Sequence, residues 1–226
     1  MKNAKNWRHW ILVAFSISIL DVSAQSIDPD DSFTIELGLP NAFVNKLYKT
    51  IMQGLVCVAP SYQYTLKNGL SFGTGLHYTY YNVNQFRVPT KIYGGIHTGA
   101  VFLKIGHEKF WTERIGTDIG FRFGYLQSIT KTDALQQQGL RFRRTEAIFL
   151  EPTIAFVISS DVNSSYRLSV GYPIYGWGFK PWTIGVNSSM GYDVSEYKKA
   201  SSSLTISFGY TFYFNGKKSQ GGGFED

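Results

Sequence analysis

The sequence predicts an all-β chain: an eight-stranded antiparallel up-and-down barrel that crosses a membrane with strands, after a cleaved signal peptide. Three observations carry this prediction. Segments of about ten residues alternate apolar with small polar side chains, the period of two that sends one set to each face of a strand. Beyond the N-terminal segment, no stretch approaches the roughly 18 continuous apolar residues that a spanning helix needs. The 226 residues also include 17 Phe, 15 Tyr and 23 Gly, with only 17% charged, a composition of aromatic-rich sheet.

The chain begins with an export signal. Lys2, Lys5 and Arg8 form a positive n-region, Trp10 to Leu20 an apolar h-region, and Val22-Ser23-Ala24 a small-residue cleavage pattern. The apolar run is too short to span a bilayer, and Asp21 closes it. The expected organisation is therefore a signal peptide at 1–24, a barrel at 25–214 and a polar, Gly-rich tail at 215–226. Cys57 is the only cysteine, so no intramolecular disulfide is available.

Strand one is expected over Ser32 to Leu39, with Phe33, Ile35, Leu37 and Leu39 on one face and Thr34, Glu36 and Gly38 on the other. Pro40 to Gln53 interrupts. Leu55 to Leu66 and Leu70 to Tyr81 then form a hairpin around Lys67-Asn68-Gly69, whose Asn-Gly suits a tight turn. Pro60 lacks a ladder donor and suggests a bulge. A fourth strand is expected over Tyr93 to Ile105, with its phase open because both faces carry apolar residues.

Gly106 to Glu113 is expected to turn back into a fifth strand over Arg114 to Leu126, which directs Asp118, Gly120, Arg122 and Gly124 to the polar face. A long polar loop, Gln127 to Glu146, leads to a sixth strand over Ala147 to Ile158 with Phe149, Glu151, Thr153 and Ala155 on that face. The seventh starts at Tyr166 and turns Arg167, Ser169 and Gly171 inward. The long connection from Pro173 to Ser202 holds the aromatic run IYGWGFKPW, expected to cap the barrel mouth or to meet a partner. It also holds a strand-like piece, Trp182 to Val194, read as a hairpin extension, with two further crossings and ten strands as the alternative.

The closing strand, Ser203 to Phe214, alternates most clearly. Leu204, Ile206, Phe208, Tyr210, Phe212 and Phe214 share one face, and Ser203, Thr205, Ser207, Gly209, Thr211 and Tyr213 the other. A strand of about this length crosses a bilayer at a tilt. Gly209, Phe212 and Phe214 stand in a Gly-x-x-aromatic-x-aromatic spacing, which resembles the closing-strand signal of bacterial outer-membrane barrels. The whole mature chain, as a pattern, resembles the small barrels of the OmpX, OmpW and OmpA-barrel types. That resemblance implies recognition by the barrel assembly machinery and an outer-membrane location.

The links after strands two, four and six are short and the others long. This is the asymmetry of periplasmic turns and outside loops, and with an even strand count it puts both termini in the periplasm. The formal charge is +6. The expected outside loops hold Lys46, Lys49, Arg87, Lys91, Lys131, Arg141, Arg143, Arg144, Lys180, Lys198 and Lys199 against Asp133, Glu146, Asp193 and Glu196. Such a rim suits the phosphates of outer-membrane lipid and lipopolysaccharide, with Arg141, Arg143 and Arg144 as the densest cluster. Export and the scatter of charge over separate loops argue against nucleic acid.

An eight-stranded barrel is only wide enough for its own side chains to fill it. Glu36, Asp118, Arg122, Glu151 and Arg167 are expected to point inward and to pair in a network that plugs the lumen. His77 is expected inward as a hydrogen-bonding residue, and Tyr62, Tyr64, Tyr78, Tyr80, Tyr125, Tyr210 and Phe214 in interfacial girdles. No zincin pair, nucleophile elbow or phosphate loop is present in the sequence, so neither enzyme activity nor any cofactor or metal is expected. The expected role is structural, or interaction with an unknown surface or periplasmic protein. Passage of a small or hydrophobic solute, or lipid A modification, remain alternatives.

Overall fold

The computed structural model describes residues 27–28, 31–88, 91–186, 189–215 and 218–219. The expected signal peptide lies outside the described residues. Eight long antiparallel strands close into one barrel: β1 Ser32–Ala42, β2 Met52–Thr65, β3 Leu70–Val83, β4 Gly94–Phe110, β5 Ile115–Thr132, β6 Arg143–Ser159, β7 Ser164–Gly171 and β8 Ser201–Tyr213. Each pairs with its chain neighbour, and β8 returns to β1 with Ser203 opposite Ala42 and Tyr213 opposite Ser32. Closure leaves no unpaired sheet edge, the condition for strands in hydrocarbon.

The side-chain alternation decides which face is which. Inward positions are small, polar or charged, and outward positions are aliphatic or aromatic and uncovered: Leu39 is 61% exposed and Phe208 58%. A soluble barrel would invert this pattern, so the bare apolar exterior is a lipid-facing one. Tyr62 and Phe214 stand together at the short-link end, with ring centroids 6.1 Å apart, as interfacial aromatics do.

Several elements differ from the sequence reading. The barrel closes with eight crossings rather than ten, and the described residues of Trp182 to Val194 contribute no strand. Pro181–Ile184 instead forms one 3₁₀ turn ended by Gly185 at φ 88°, and Val194–Tyr197 a short helix. Pro60 causes no bulge; it sits opposite Ile35 in register, and the shift in β2 falls between Gly54 and Val56.

Gly106 to Glu113 is mostly strand, since β4 runs to Phe110. The polar stretch 127–146 is partly strand too, because β5 and β6 stay paired out to Thr130 and Arg143. The seventh strand does not end before Pro173: Ile174–Tyr175 keeps the same register against β6 and β8, resuming after Tyr172 and Pro173. Proline lacks the N–H that would have filled that gap.

The short links are 66–69, 111–114 and 160–163; the long ones gather at the opposite end. There, Lys46–Ile51 forms helix α1, capped by the Asn45 carboxamide oxygen accepting from the Tyr48 N–H at 2.9 Å. Helix α2, Asp133–Gln137, is capped by Thr132. Thr132 Oγ1 also donates to the Ile184 carbonyl at 2.8 Å, tying this link to the 3₁₀ turn.

Candidate functional site: a charged belt beneath an aromatic plug

The lumen is filled in layers. At its short-link end, Phe110, Val157 and Tyr213 make a small apolar floor. Above it lies a belt of buried charge. Arg167 donates to Glu108 Oε1 at 2.5 Å and to Thr211 Oγ1 at 2.6 Å, and pairs with Asp118. Lys104 donates to Asp118 Oδ2 at 2.5 Å and Gln63 Oε1 at 2.6 Å, and Arg122 bridges Glu36 at 2.5 Å and Glu151 at 3.2 Å. All seven charged side chains are buried.

Glycine makes room for them: a Cβ at Gly120 would lie 2.6 Å from Lys104 Cε, and one at Gly171 would lie 2.4 Å from Glu151 Oε1. Three cations thread among four carboxylates, each compensated at short range. This is the condition under which charge survives away from water. His77 points inward as expected, its Nε2 lying 3.4 Å from Cys57 Sγ and 3.9 Å from Glu151 Oε1.

The five charged residues expected inside from the sequence all lie in this belt, but Lys104 and Glu108 were missed. Both sit on β4: Lys104 in the stretch whose phase the sequence leaves open, Glu108 in the stretch Gly106 to Glu113 that reads as a turn. The missing signal lay in pairing: Glu108 opposes Asp118 and Lys104 opposes Arg122, residues whose inward direction was legible.

The outer half of the lumen holds the larger apolar cluster, within a wall that also carries small buried hydroxyls such as Thr79, Thr98 and Ser203. Phe102 and Phe149, with centroids 6.2 Å apart, roof the belt, and the Arg122 guanidinium lies 5.0 Å from the Phe102 ring. Above them Tyr48, Tyr175, Trp177 and Phe179 pack with Leu47, Ile51 and Ile184 into a plug delivered by α1 and the 172–200 link, against Tyr81 of β3. Tyr175, Trp177 and Phe179 of the aromatic run thus fill the mouth from within, whereas Trp182 remains outside.

Asn45 pins this plug. Its Nδ2 donates to the carbonyls of Phe179, Tyr197 and Lys199 at 3.1, 3.2 and 3.0 Å.

A clasp on the surface joins the same two links. Lys46 donates to Glu196, which holds the Glu196 carboxyl below its usual value and Lys46 above its own. The sign follows from those directions. On the acid side the clasp is complete above the ordinary carboxylate pKa and is lost as pH falls through the lowered one. On the alkaline side it is complete below the ordinary lysine pKa and is lost as pH rises through the raised one. Hydrogen exchange at the Lys198 amide, corrected for intrinsic rate, should show a small acid-side loosening that Glu196→Gln abolishes by making the link equally loose at neutral pH. An unchanged acid limb in the variant would contradict it.

The basic cluster is less concentrated than its sequence suggests. Arg141 is exposed in the link, while Arg143 and Arg144 lie on β6 and Arg144 pairs with Glu146 at 2.6 Å. In the closing strand Gly209 faces the lumen, and Phe212 and Phe214 face outward. Among the described residues no group of three or more His, Cys, Asp and Glu is placed to hold a metal.

No protein-family model and no curated protein matches the chain. Solved structures do. It is similar to the Neisserial surface protein A, NspA, with a TM-score of 0.54 at 12% identity, covering 81% of this chain and 97% of that one. Its fold is that of a small outer-membrane β-barrel. A second similar structure is the outer membrane protein OprG from Pseudomonas aeruginosa, with a TM-score of 0.51 at 11% identity, covering 84% of this chain and all of that one. At these identities the shared property is the barrel itself. The layered filling of this barrel is argued from its own residues.

Proposed function

We propose that the chain is a non-enzymatic integral barrel of the bacterial outer membrane with a sealed lumen, acting at the cell surface as an interaction or structural protein. The filling of the bore carries this reading: a hydrogen-bonded charge belt and a buried aromatic plug occupy successive levels of it. In the proposed orientation both termini and the short links face the periplasm, and the long links face outward. The Gly209, Phe212 and Phe214 spacing is then the signal read by the assembly machinery.

Exposed Phe86, Phe142 and Trp182 on the long links stand close in sequence to Arg87, Arg141 and Lys180, and the Lys180 ammonium lies 5.2 Å from the Trp182 ring. Mixed aromatic and basic side chains of this kind suit macromolecular contact better than solute passage. In planar bilayers the purified barrel should give no large steady conductance. A stable open level would overturn the sealed reading in favour of small-solute passage.

A further inference from the structure

We propose that the outer wall of the barrel between β3, β4 and β5 holds a seat for one phosphate-bearing membrane lipid, with an acyl chain over Gly99 and the phosphate at Lys131. A groove of about 470 Å³ is cut into this wall. Its lipid-facing lining includes Leu76 and Tyr78 of β3, His97 and Val101 of β4, and Tyr125 and Ile129 of β5. Its floor is Gly99, where a Cβ would meet no atom within 4 Å, whereas neighbouring positions carry full side chains. The wall is dented where one side chain is missing.

The groove's depth along the barrel selects the occupant. Below Gly99, the outward positions Val101, Leu103 and Ile105 of β4 and Ile119, Phe121 and Phe123 of β5 belong to the apolar band. Above it the same two faces turn polar at His97, Gln127 and Lys131. The groove therefore straddles the boundary between hydrocarbon and head groups, on the side of the long links.

The charges at its upper edge are distinct in kind. Arg144 is already paired with Glu146. Lys131 is exposed and makes no ion pair among the described residues, and it stands opposite Gly95, one outward position above the Ile129 that faces His97. His97 Nδ1 is engaged with the Tyr78 hydroxyl at 2.8 Å, and Tyr80 lies against the ring with centroids 4.6 Å apart. The imidazole is held in place, with Nε2 as its remaining polar atom.

An apolar trough in a lipid-facing wall, topped by an unpaired ammonium and a fixed imidazole, matches an amphiphile with an anionic head. It matches neither a free phosphate, which has no use for the trough, nor a neutral lipid, which has none for Lys131.

The test is native mass spectrometry of the whole barrel released from detergent after titration with phosphatidylglycerol, phosphatidylcholine or glycerol 3-phosphate. The wild-type barrel should retain one phosphatidylglycerol, with at least a tenfold weaker signal for phosphatidylcholine and none for glycerol 3-phosphate. Gly99→Leu, which fills the trough at a position with open space, should abolish retention of both lipids. Lys131→Gln should reduce phosphatidylglycerol to the level of phosphatidylcholine.

Heat-modifiable migration on gels reports that both variants are folded. Unchanged retention in either folded variant, or equal retention of the two lipids by the wild type, would overturn the seat. Neither outcome bears on whether the lumen conducts.

Discussion

Replacing Arg167 with methionine should lower the unfolding free energy by about 3–5 kcal/mol, the usual cost of removing one partner from a buried ion pair. The residue is 3% exposed, and its side chain serves Glu108, Asp118 and Thr211 from strands on different sides of the bore. Without it Asp118 keeps Lys104. Glu108 keeps only the neutral donors Gln63 Nε2 at 2.8 Å and the Tyr213 hydroxyl at 2.9 Å, and a buried carboxylate with neutral partners is poorly compensated.

Two further variants isolate the cause. Arg167→Lys retains the charge but not the fork that reaches both carboxylates, so it should cost less than methionine yet remain clearly destabilised. Arg167→Met combined with Glu108→Gln should recover part of the loss, because the orphaned charge is gone. Urea unfolding of the barrel in phospholipid vesicles measures all three. Arg144→Met, which breaks the surface pair with Glu146, should stay within about 0.5 kcal/mol of wild type. An Arg167→Met barrel as stable as the Arg144→Met one would mean that the belt is hydrated and contributes little.

The belt also shows what the sequence can and cannot reveal. Glu36, Asp118, Arg122, Glu151 and Arg167 were legible because each interrupts a strand whose other face is mostly aliphatic or aromatic, and a period of two leaves the charge only one side to occupy. On β4 the same rule fails. Val101, Leu103 and Ile105 are apolar because lipid lies against them, while Ile96, Ala100 and Phe102 are apolar because the plug does. Two apolar environments erase the alternation, and Lys104 disappears with it; Glu108 is hidden because Gly106 to Glu113 reads as a turn.

The plug was half legible for a related reason. The aromatic run marks something buried, but whether Tyr175, Trp177 and Phe179 enter the bore depends on where α1 and β8 stand. Trp182 to Val194 reads as strand from its local composition, yet Pro181 and the left-handed Gly185 turn it aside. The strand extensions at 127–130 and 143–146 carry one apolar residue, Ile129, so no apolar period marks them; backbone pairing alone continues the ladder there.

The second large effect is expected at Asn45, whose removal should open the plug while leaving the barrel closed. This one buried side chain caps α1 through its oxygen and holds three carbonyls of the 172–200 link through its nitrogen. Asn45→Ala forfeits a cap, about 1 kcal/mol, and leaves buried carbonyls short of a donor, about 1–3 kcal/mol. Local opening should therefore become easier by about 3 kcal/mol, roughly a hundredfold in exchange rate.

The amides that report this are Phe179, bonded to Ser201 Oγ at 2.9 Å, and Ser201, bonded to the Trp177 carbonyl at 2.8 Å. Amides in the β4–β5 ladder should keep their protection, because that pairing involves neither link. Asn45→Ser restores the cap alone and should recover only the smaller part. Asn45→Asp keeps the cap oxygen but turns a carboxylate toward the three carbonyls, so it should exchange at least as fast as alanine at Phe179. If Ser and Asp both matched the wild type there, the carbonyl contacts would carry nothing and the plug would be held by its aromatic packing alone.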